Sequence, residues 1–274
     1  MSSPISPSSH NVIDTVGEDN CFKAMPDEKD NKLFYGVELE CRVHSYRESV
    51  QHKALSNFPK SAVLKPDGDF EIVTIPATLN YHREVLWNRF FDEANGAATD
   101  CIKCKNRLTE CGLHIHFSRG ALTELQLAKV MCFINEGCNK TFVENVAGRE
   151  ENCWNKKIPL FEKSVKTVID KYMHNKGMAI HISRRNSNKT VEVRIFQGIP
   201  TRQQVMQSLE FVDALIRYCK RHGNVAKEIK YTSFVEWFDT NCMELHYPHL
   251  HETLMAHKYV AKQQPRGTLV DVAV

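Results

Sequence analysis

The stretch Tyr35-Gly-Val-Glu-Leu-Glu-Cys41 puts two carboxylates where a folding chain ordinarily puts core, and this constrains the rest of the molecule. Aromatic and β-branched residues precede and interleave the acids, so the segment reads as a strand, and side chains two apart on a strand share a face. Glu38 and Glu40 therefore point one way, and Val37 and Leu39 point to the other, buried side. Carboxylates held about 7 Å apart on one face repel unless a cation lies between them, and each costs several kcal/mol if desolvated without a partner.

The same device recurs three times downstream. Asp67-Gly-Asp-Phe-Glu-Ile-Val73 carries acids at 67, 69 and 71, of which Asp67, beside Gly68, reads as a turn residue. Cys111-Gly-Leu-His-Ile-His-Phe-Ser118 alternates His114, His116 and Ser118 with Leu113, Ile115 and Phe117. Thr190-Val-Glu-Val-Arg-Ile-Phe196 sets Glu192 and Arg194 against Val191, Val193 and Ile195. Four strands with one apolar and one ionisable face predict a sheet packed on its core by one side and open as a charged trough on the other. Amphipathic strands of this kind favour an antiparallel sheet, so the fold class is α+β, with helices packed behind a curved, mainly antiparallel sheet.

Helical periodicity supplies those helices. Val85, Leu86, Phe90 and Phe91 follow Asn80 at helical spacing, with a stop at Gly96. Thr123 with Gln126 forms a capping-box signature ahead of Leu127, Val130, Met131 and Ile134, and Thr201 with Gln204 forms a second ahead of the stripe Val205 to Cys219, closed by Gly223. Pro159 opens a helix running to about Met173, and Ser233 to Asn241 reads as a short one. Residues 177–183 and the strand of Glu192 make a hairpin around Arg184 to Asn188. His44 to Lys60 and Ala97 to Glu110 read as connections. Residues 1–30, polar and proline-bearing, are expected to be a disordered arm, residues 31–258 one catalytic-type domain, and residues 259–274 a loose tail.

Composition narrows the function classes. At 274 residues, 42% hydrophobic and 25% charged, the chain is ordinary globular material, and a net charge of +3 is too small to argue for nucleic acid or an anionic membrane. No window approaches eighteen apolar residues and no signal peptide is evident. Several of the ten cysteines fall within apolar periodic segments, where a free thiol acts as a small hydrophobe, so the reading is a cytoplasmic protein in a reducing compartment.

Glu38, Glu40, Glu71, His114 and Glu192 are mostly oxygen ligands with one imidazole, a set that suits Mg2+ or Mn2+ better than zinc. Mg2+ commonly shares its ligands with substrate phosphates, which makes a nucleotide the natural partner. Arg194 on the same face supplies a fixed planar cation for a transferring phosphoryl group, and the loop residues Arg149 and Arg185 are candidates to add to it. A rival set, Cys101, Cys104, Cys111 and His114, has the ligand types of a structural zinc site. Against it, Cys111 and His114 are an odd number of residues apart on a strand and face opposite ways.

Glu38-x-Glu40 on an early strand, an Asp-Gly-x-x-Glu strand ending in Pro76, Gly-Leu-His-x-His-x-Ser, and Thr-Val-Glu-x-Arg-Ile-Phe-x-Gly before a long helix together resemble the amidoligase family, which is related to glutamine synthetase and glutamate-cysteine ligase. The resemblance covers residues 33 to 221, with the motifs in the family's order. It implies a glutamine synthetase-like sheet in which Glu38 and Glu40 hold divalent metals. Glu71 would complete one metal site, and His114 with Glu192 another. His116 and Ser118 would contact nucleotide or substrate, and Arg194 the transferred phosphate. The chain departs from the family pattern in placing Asp69 where a small hydroxyl residue is expected. The implied activity is ATP-dependent, Mg2+-dependent joining of a carboxylate to an amine. The partners are then an amino acid, peptide, polyamine or protein side chain, which the sequence does not distinguish. A catalytically inactive nucleotide- or metal-binding interaction protein is the alternative. Oligomeric state leaves no mark in the sequence.

Overall fold

The computed structural model describes residues 22–28, 33–43, 46–66, 69–102, 110–151, 169, 177–182, 190–221, 229–241 and 243–260. Six strands form one open antiparallel sheet: β1 (Tyr35–Cys41), β2 (Ala62–Lys65), β3 (Phe70–Thr74), β4 (Gly112–Ser118), β5 (Ile180–Ile182) and β6 (Thr190–Gln197). Their spatial order is β2-β3-β1-β4-β6-β5. Mixed helix and sheet with a single antiparallel sheet is the α+β architecture expected from the amphipathic strands.

Alternation sorts the two faces as the sequence requires. Tyr35, Val37, Leu39 and Cys41 of β1 and Leu113, Ile115 and Phe117 of β4 are each at most 1% exposed. Against this face packs a long helix, Arg202–Arg221, together with Glu124–Asn135 and Lys140–Ala147. Phe133, Phe142, Phe211 and Phe234 interlock behind it, with Phe133 and Phe234 centroids 5.5 Å apart and Phe211 and Phe234 6.0 Å apart, in tilted or edge-on contacts that aromatic rings favour.

The helix Glu124–Asn135 opens with the complete capping box: Thr123 N–H donates to Gln126 Oε1 at 2.9 Å and Gln126 N–H to Thr123 Oγ1 at 3.3 Å. The second box is half formed. Gln204 N–H reaches Thr201 Oγ1, but the Gln204 amide turns inward to Ala147 O and Ser208 Oγ, because here the helix start is buried against Lys140–Ala147.

Four local expectations are corrected. The polar connection from 44 to 60 contains the helix Arg47–Asn57, which buries only Val50 and Ala54 and so shows no apolar stripe to read. The helix expected from Asn80 to Gly96 is instead a short turn, Leu79–Tyr81, running into a π-helical stretch, His82–Leu86. There His82 Nε2 meets Tyr35 O at 2.8 Å and its Nδ1 accepts from Trp87 Nε1 at 3.1 Å, buried bonds that reset the turn. The loop after Ala97 begins with a helical turn, Ala98–Ile102. Finally, parts of both ends are docked. Lys23 N–H donates to Pro76 O at 3.0 Å, Glu28 accepts from Thr78 and Asn80, and Tyr259 accepts from Asn145 at 2.9 Å. The rest of the arm and tail, the helix from Pro159 and the turn 184–188 lie outside the described residues.

Among the described residues no helix is long and apolar enough to cross a membrane, and six of the cysteines are seen as free thiols. Replacing the central Phe211 by Ala is expected to lower unfolding free energy by about 3–5 kcal/mol, against about 1 kcal/mol for Thr123→Ala at the cap. Urea denaturation with an unchanged slope checks the ranking.

Candidate functional site

The polar face of the sheet gathers side chains from all six strands. Residues opposite each other in adjacent strands share a face, so the register Lys65↔Glu71↔Glu40 forms one row and His116↔Glu192↔His181 another. Between them lies the pair Glu38↔His114. Glu38, Glu40, Glu71, His114, His116, Glu192 and Arg194, scattered over more than 150 residues of chain, therefore meet in one place.

His114 is the node. It is 4% exposed; its Nδ1 lies 3.6 Å from Glu38 Oε2 and 3.4 Å from Glu192 Oε1, and its Nε2 lies 3.9 Å from Glu40 Oε1. Nδ1 makes no hydrogen bond of ordinary geometry among the described residues. Two groups of potential ligands share this ring: Glu38, His114 and Glu192, and Glu40, Glu71 and His114, each with ligand atoms within 4.8 Å of one another. Ligands at 2.0–2.6 Å from one ion stand roughly 3–5 Å apart, so both groups have the dimensions and the oxygen-rich chemistry of a hard divalent cation site.

Backbone features hold the node in place. Gly112 N–H donates to Glu40 Oε2 at 2.6 Å. A Cβ at position 112 would lie 2.8 Å from His114 Nε2 and 3.3 Å from Glu40 Oε1, so any larger residue there would push these two side chains aside. Opposite His114 the ladder slips: Leu113 pairs with Phe196 and Ile115 with Val193, leaving Arg194 and Ile195 to face one residue. This bulge returns Phe196 to the core, where strict alternation would have placed it among the acids.

Arg149 serves the bulge. It donates to Arg194 O at 2.8 Å and Ile195 O at 3.1 Å, carbonyls at the slipped part of the ladder, and at 3.4 Å to Cys111 O, which also accepts from Gly198 N–H at 2.9 Å. Its three nitrogens are thus each turned to the main chain at the bulge. Ser118 ends the polar row of β4, paired with Thr190. Arg185 and Asp67 lie outside the described residues, as does Cys104. Cys101, Cys111 and His114 do not gather as a ligand set among the described residues. Asp69, the departure from the family pattern, is engaged at the strand start, accepting from Val43 N–H at 2.9 Å and facing Arg42 at 3.8 Å.

Two participants escaped the sequence reading. Lys65 Nζ lies 3.0 Å from Glu38 Oε1 and 3.8 Å from Glu71 Oε2, an ammonium inserted among the acids. His181 Nδ1 lies 3.2 Å from Glu192 Oε2. Ile180-His181-Ile182 repeats the alternation of the other strands and could have been found by it; Ala62-Val-Leu-Lys65 shows no such pattern.

The charges interlock. Burial alone would raise the Glu192 carboxyl, but the His181 hydrogen bond and the charges of His116, His114 and Arg194 outweigh it and bring it to about 2. Burial likewise opposes ionisation of Glu38, yet His116, His114 and Lys65 hold it well below the usual carboxylate range. For His116 burial favours the neutral ring, and Glu38, with Nε2–Oε1 at 3.4 Å, wins and raises it. Lys65 is raised too, the desolvation of its ammonium being outweighed by Glu38 and Glu71. Four carboxylates thus meet two permanent cations, Lys65 and Arg194, the latter bonded to Glu192. The arrangement keeps a negative surplus for an incoming cation.

No known family model matches the sequence, and no curated protein matches it either.

The titrations set a pH window. A raised His116 stabilises the fold below its ordinary value of about 6.5 and loses that contribution as pH climbs through the folded-state value. Depressed Glu38 and Glu192 contribute above about 4.3 and lose it as pH falls, Glu192 at about 2. Metal-free protein is therefore expected to be most stable between about pH 4.5 and 6.5, and His116→Gln to flatten the alkaline decline; thermal melts in chelating buffer across pH 4–9 check this. In that buffer Lys65→Met should melt below wild type, yet in chelator-free buffer gain more from saturating Mn2+, because the ion no longer competes with an ammonium. Equal Mn2+ shifts in the two proteins would show that Lys65 and the ion do not compete.

Proposed function

We propose that the acidic face binds Mg2+ or Mn2+ and that the protein is an ATP-dependent carboxylate-amine ligase of the amidoligase type, with a glutamine synthetase-like sheet. One observation carries the reading: His114 stands between two carboxylate sets, one nitrogen toward each, with the guanidinium of Arg194 beside them. This is the constellation implied by the ordered motifs from Glu38 to Arg194.

In this reading Glu38, His114 Nδ1 and Glu192 would hold one ion and Glu40 with Glu71 a second, since a neutral imidazole offers a lone pair on one nitrogen alone. The ions supply charge neutralisation along a triphosphate. The chain's own groups do the rest. Arg194 faces the γ-phosphoryl group and stabilises the charge on its oxygens during transfer. Lys65, paired with Glu38 at 3.0 Å, would be free to pair with a phosphate wherever that carboxylate is engaged otherwise. Arg149 keeps the backbone of the bulge, and with it Arg194, in position.

The chemistry balances in two steps. A substrate carboxylate oxygen attacks the γ-phosphorus, the bond to the bridging oxygen breaks, and ADP leaves an acyl phosphate behind. A neutral amine then attacks the acyl carbon, the C–O bond to phosphate breaks, and the proton lost by nitrogen departs with hydrogen phosphate. Partial burial of Glu38, Glu192 and Arg194 suits this sequence, since the acyl phosphate must be kept from bulk water.

The test is ADP release from ATP and Mg2+ against a panel of carboxylates and amines. Release that requires both substrates is expected, falling by about 10²–10³-fold in Arg194→Ala and lost in Glu192→Gln with the fold intact by circular dichroism. An Arg194→Ala protein turning over at the normal rate would remove its assigned role. No turnover with any pair, while nucleotide and Mn2+ binding persist, would favour an inactive binding protein.

A further inference from the structure

A second site lies on the helix side of the sheet, at the start of β1. There a cavity of about 460 Å³ is lined by residues of the helix Arg202–Arg221, of the following helix Tyr231–Thr240, and of the turn from Met243 to Tyr247. Its size falls in the range of small-molecule pockets.

Its walls have two characters. Leu79, Trp237, Met243 and Leu245 make an apolar side, Leu245 being 80% exposed at the mouth. Arg83, Arg217, Lys220 and Arg221 bring four cations; Arg83 is paired with Glu210 at 3.1 Å and Arg217 with Asp213 at 2.7 Å, which leaves Lys220 and Arg221 against Glu28.

Both acids are already engaged. Asp213 accepts from Tyr35 and Tyr247 at 2.5 Å each and from Arg217 Nε at 2.7 Å. Glu28 accepts from Thr78 Oγ1, from Asn80 Nδ2 at 2.9 Å and from Met25 N–H. Most donors of Arg83 are engaged too, by Asn80, Glu210 and His246 O, and Arg221 donates to Asn241, but two buried N–H groups are left over. Trp237 is 7% exposed, and its Nε1–H has no hydrogen-bond partner among the described residues; neither has Nε of Arg83. Lys220 is exposed and pairs with no acid among the described residues. A buried donor without an acceptor costs about 1–3 kcal/mol, so the lining asks for acceptor oxygens with negative charge.

We propose that this cavity binds a small organic anion, a phosphate monoester or carboxylate head on an aromatic or short aliphatic body. The head lies among Lys220, Arg221 and the Trp237 indole N–H, and the body against Leu79, Met243 and Leu245. The site is independent of the metal and ATP reading, because none of its residues lies on the acidic face. Its place beside Asp213, which holds the Tyr35 hydroxyl, puts the ligand one hydrogen bond from the strand that carries Glu38 and Glu40.

Calorimetric titration of the full chain with 1-naphthyl phosphate and 1-naphthoate, in chelating buffer, tests it. Saturable one-to-one binding is expected for at least one of them, and the tighter of the two identifies the head group. Neutral 1-naphthalenemethanol should bind at least about tenfold more weakly. The double variant Lys220→Gln/Arg221→Gln, at two exposed positions, should weaken the anion by about tenfold, as the loss of two surface charge contacts of about 0.7 kcal/mol each implies. Trp237→Phe, which keeps the ring shape and removes the donor, should weaken it several-fold. Arg194→Ala on the opposite face should change nothing. Absence of saturable binding by both anions overturns the inference, as does equal binding of the neutral alcohol. Weakening by Arg194→Ala but not by the Lys220/Arg221 pair would also overturn it, by moving the anion to the acidic face.

Discussion

Everything on the polar face depends on where one imidazole is held. His114 is buried with a carboxylate set at each nitrogen, and a buried ring in that position forces a choice of partners: protons, an internal cation or a metal ion. Carboxylates this close cannot all stay charged without compensation. The fold meets that demand from several strands at once. Lys65 reaches in from β2 and Arg194 from β6, so the site is neutralised in part before any ligand arrives, and His181 of β5 contacts Glu192. What remains is an excess of negative charge in a half-buried setting, where Coulomb attraction to a divalent ion is far stronger than in water.

Such a site needs rigid walls, and the core provides them. The odd-numbered residues of β1 and β4 are buried on the helix side, so the polar residues between them are fixed to the opposite face. The bulge in β6 is the exception to regularity and the most consequential one. It turns Phe196 inward, sets Arg194 opposite His114, and leaves carbonyls that Arg149 collects. A defect in the ladder thereby becomes a clamp on the backbone that carries the Arg194 guanidinium.

β1 also has contacts on both faces. Tyr35 opens that strand with its hydroxyl on Asp213, a carboxylate of the long helix also bonded to Tyr247 and Arg217. Five residues later the same strand presents Glu40 to Gly112 and His114. A short β-strand locked by ladders on both sides is a stiff connection between a helix-side cavity and an acid cluster.

Much of this was legible in the chain. Period-two alternation at Val37-Glu-Leu-Glu40, Leu113-His-Ile-His116 and Val191-Glu-Val-Arg194 determines which side chains share a face, because the pleat admits no other arrangement; the Thr123 capping box was equally local. Lys65 was hidden because four residues, three of them apolar, show no alternation, and the helix Arg47–Asn57 because it buries too little to leave a stripe. The bulge could not be read, since one slipped residue changes no composition. Only tertiary structure decided that the strands lie in the order β2-β3-β1-β4-β6-β5. Neighbours in a sheet are chosen by how the buried faces pack against Arg202–Arg221, a contact between segments far apart in sequence, and that choice brings Lys65, Glu71, Glu40, His114 and Glu192 within reach of one another.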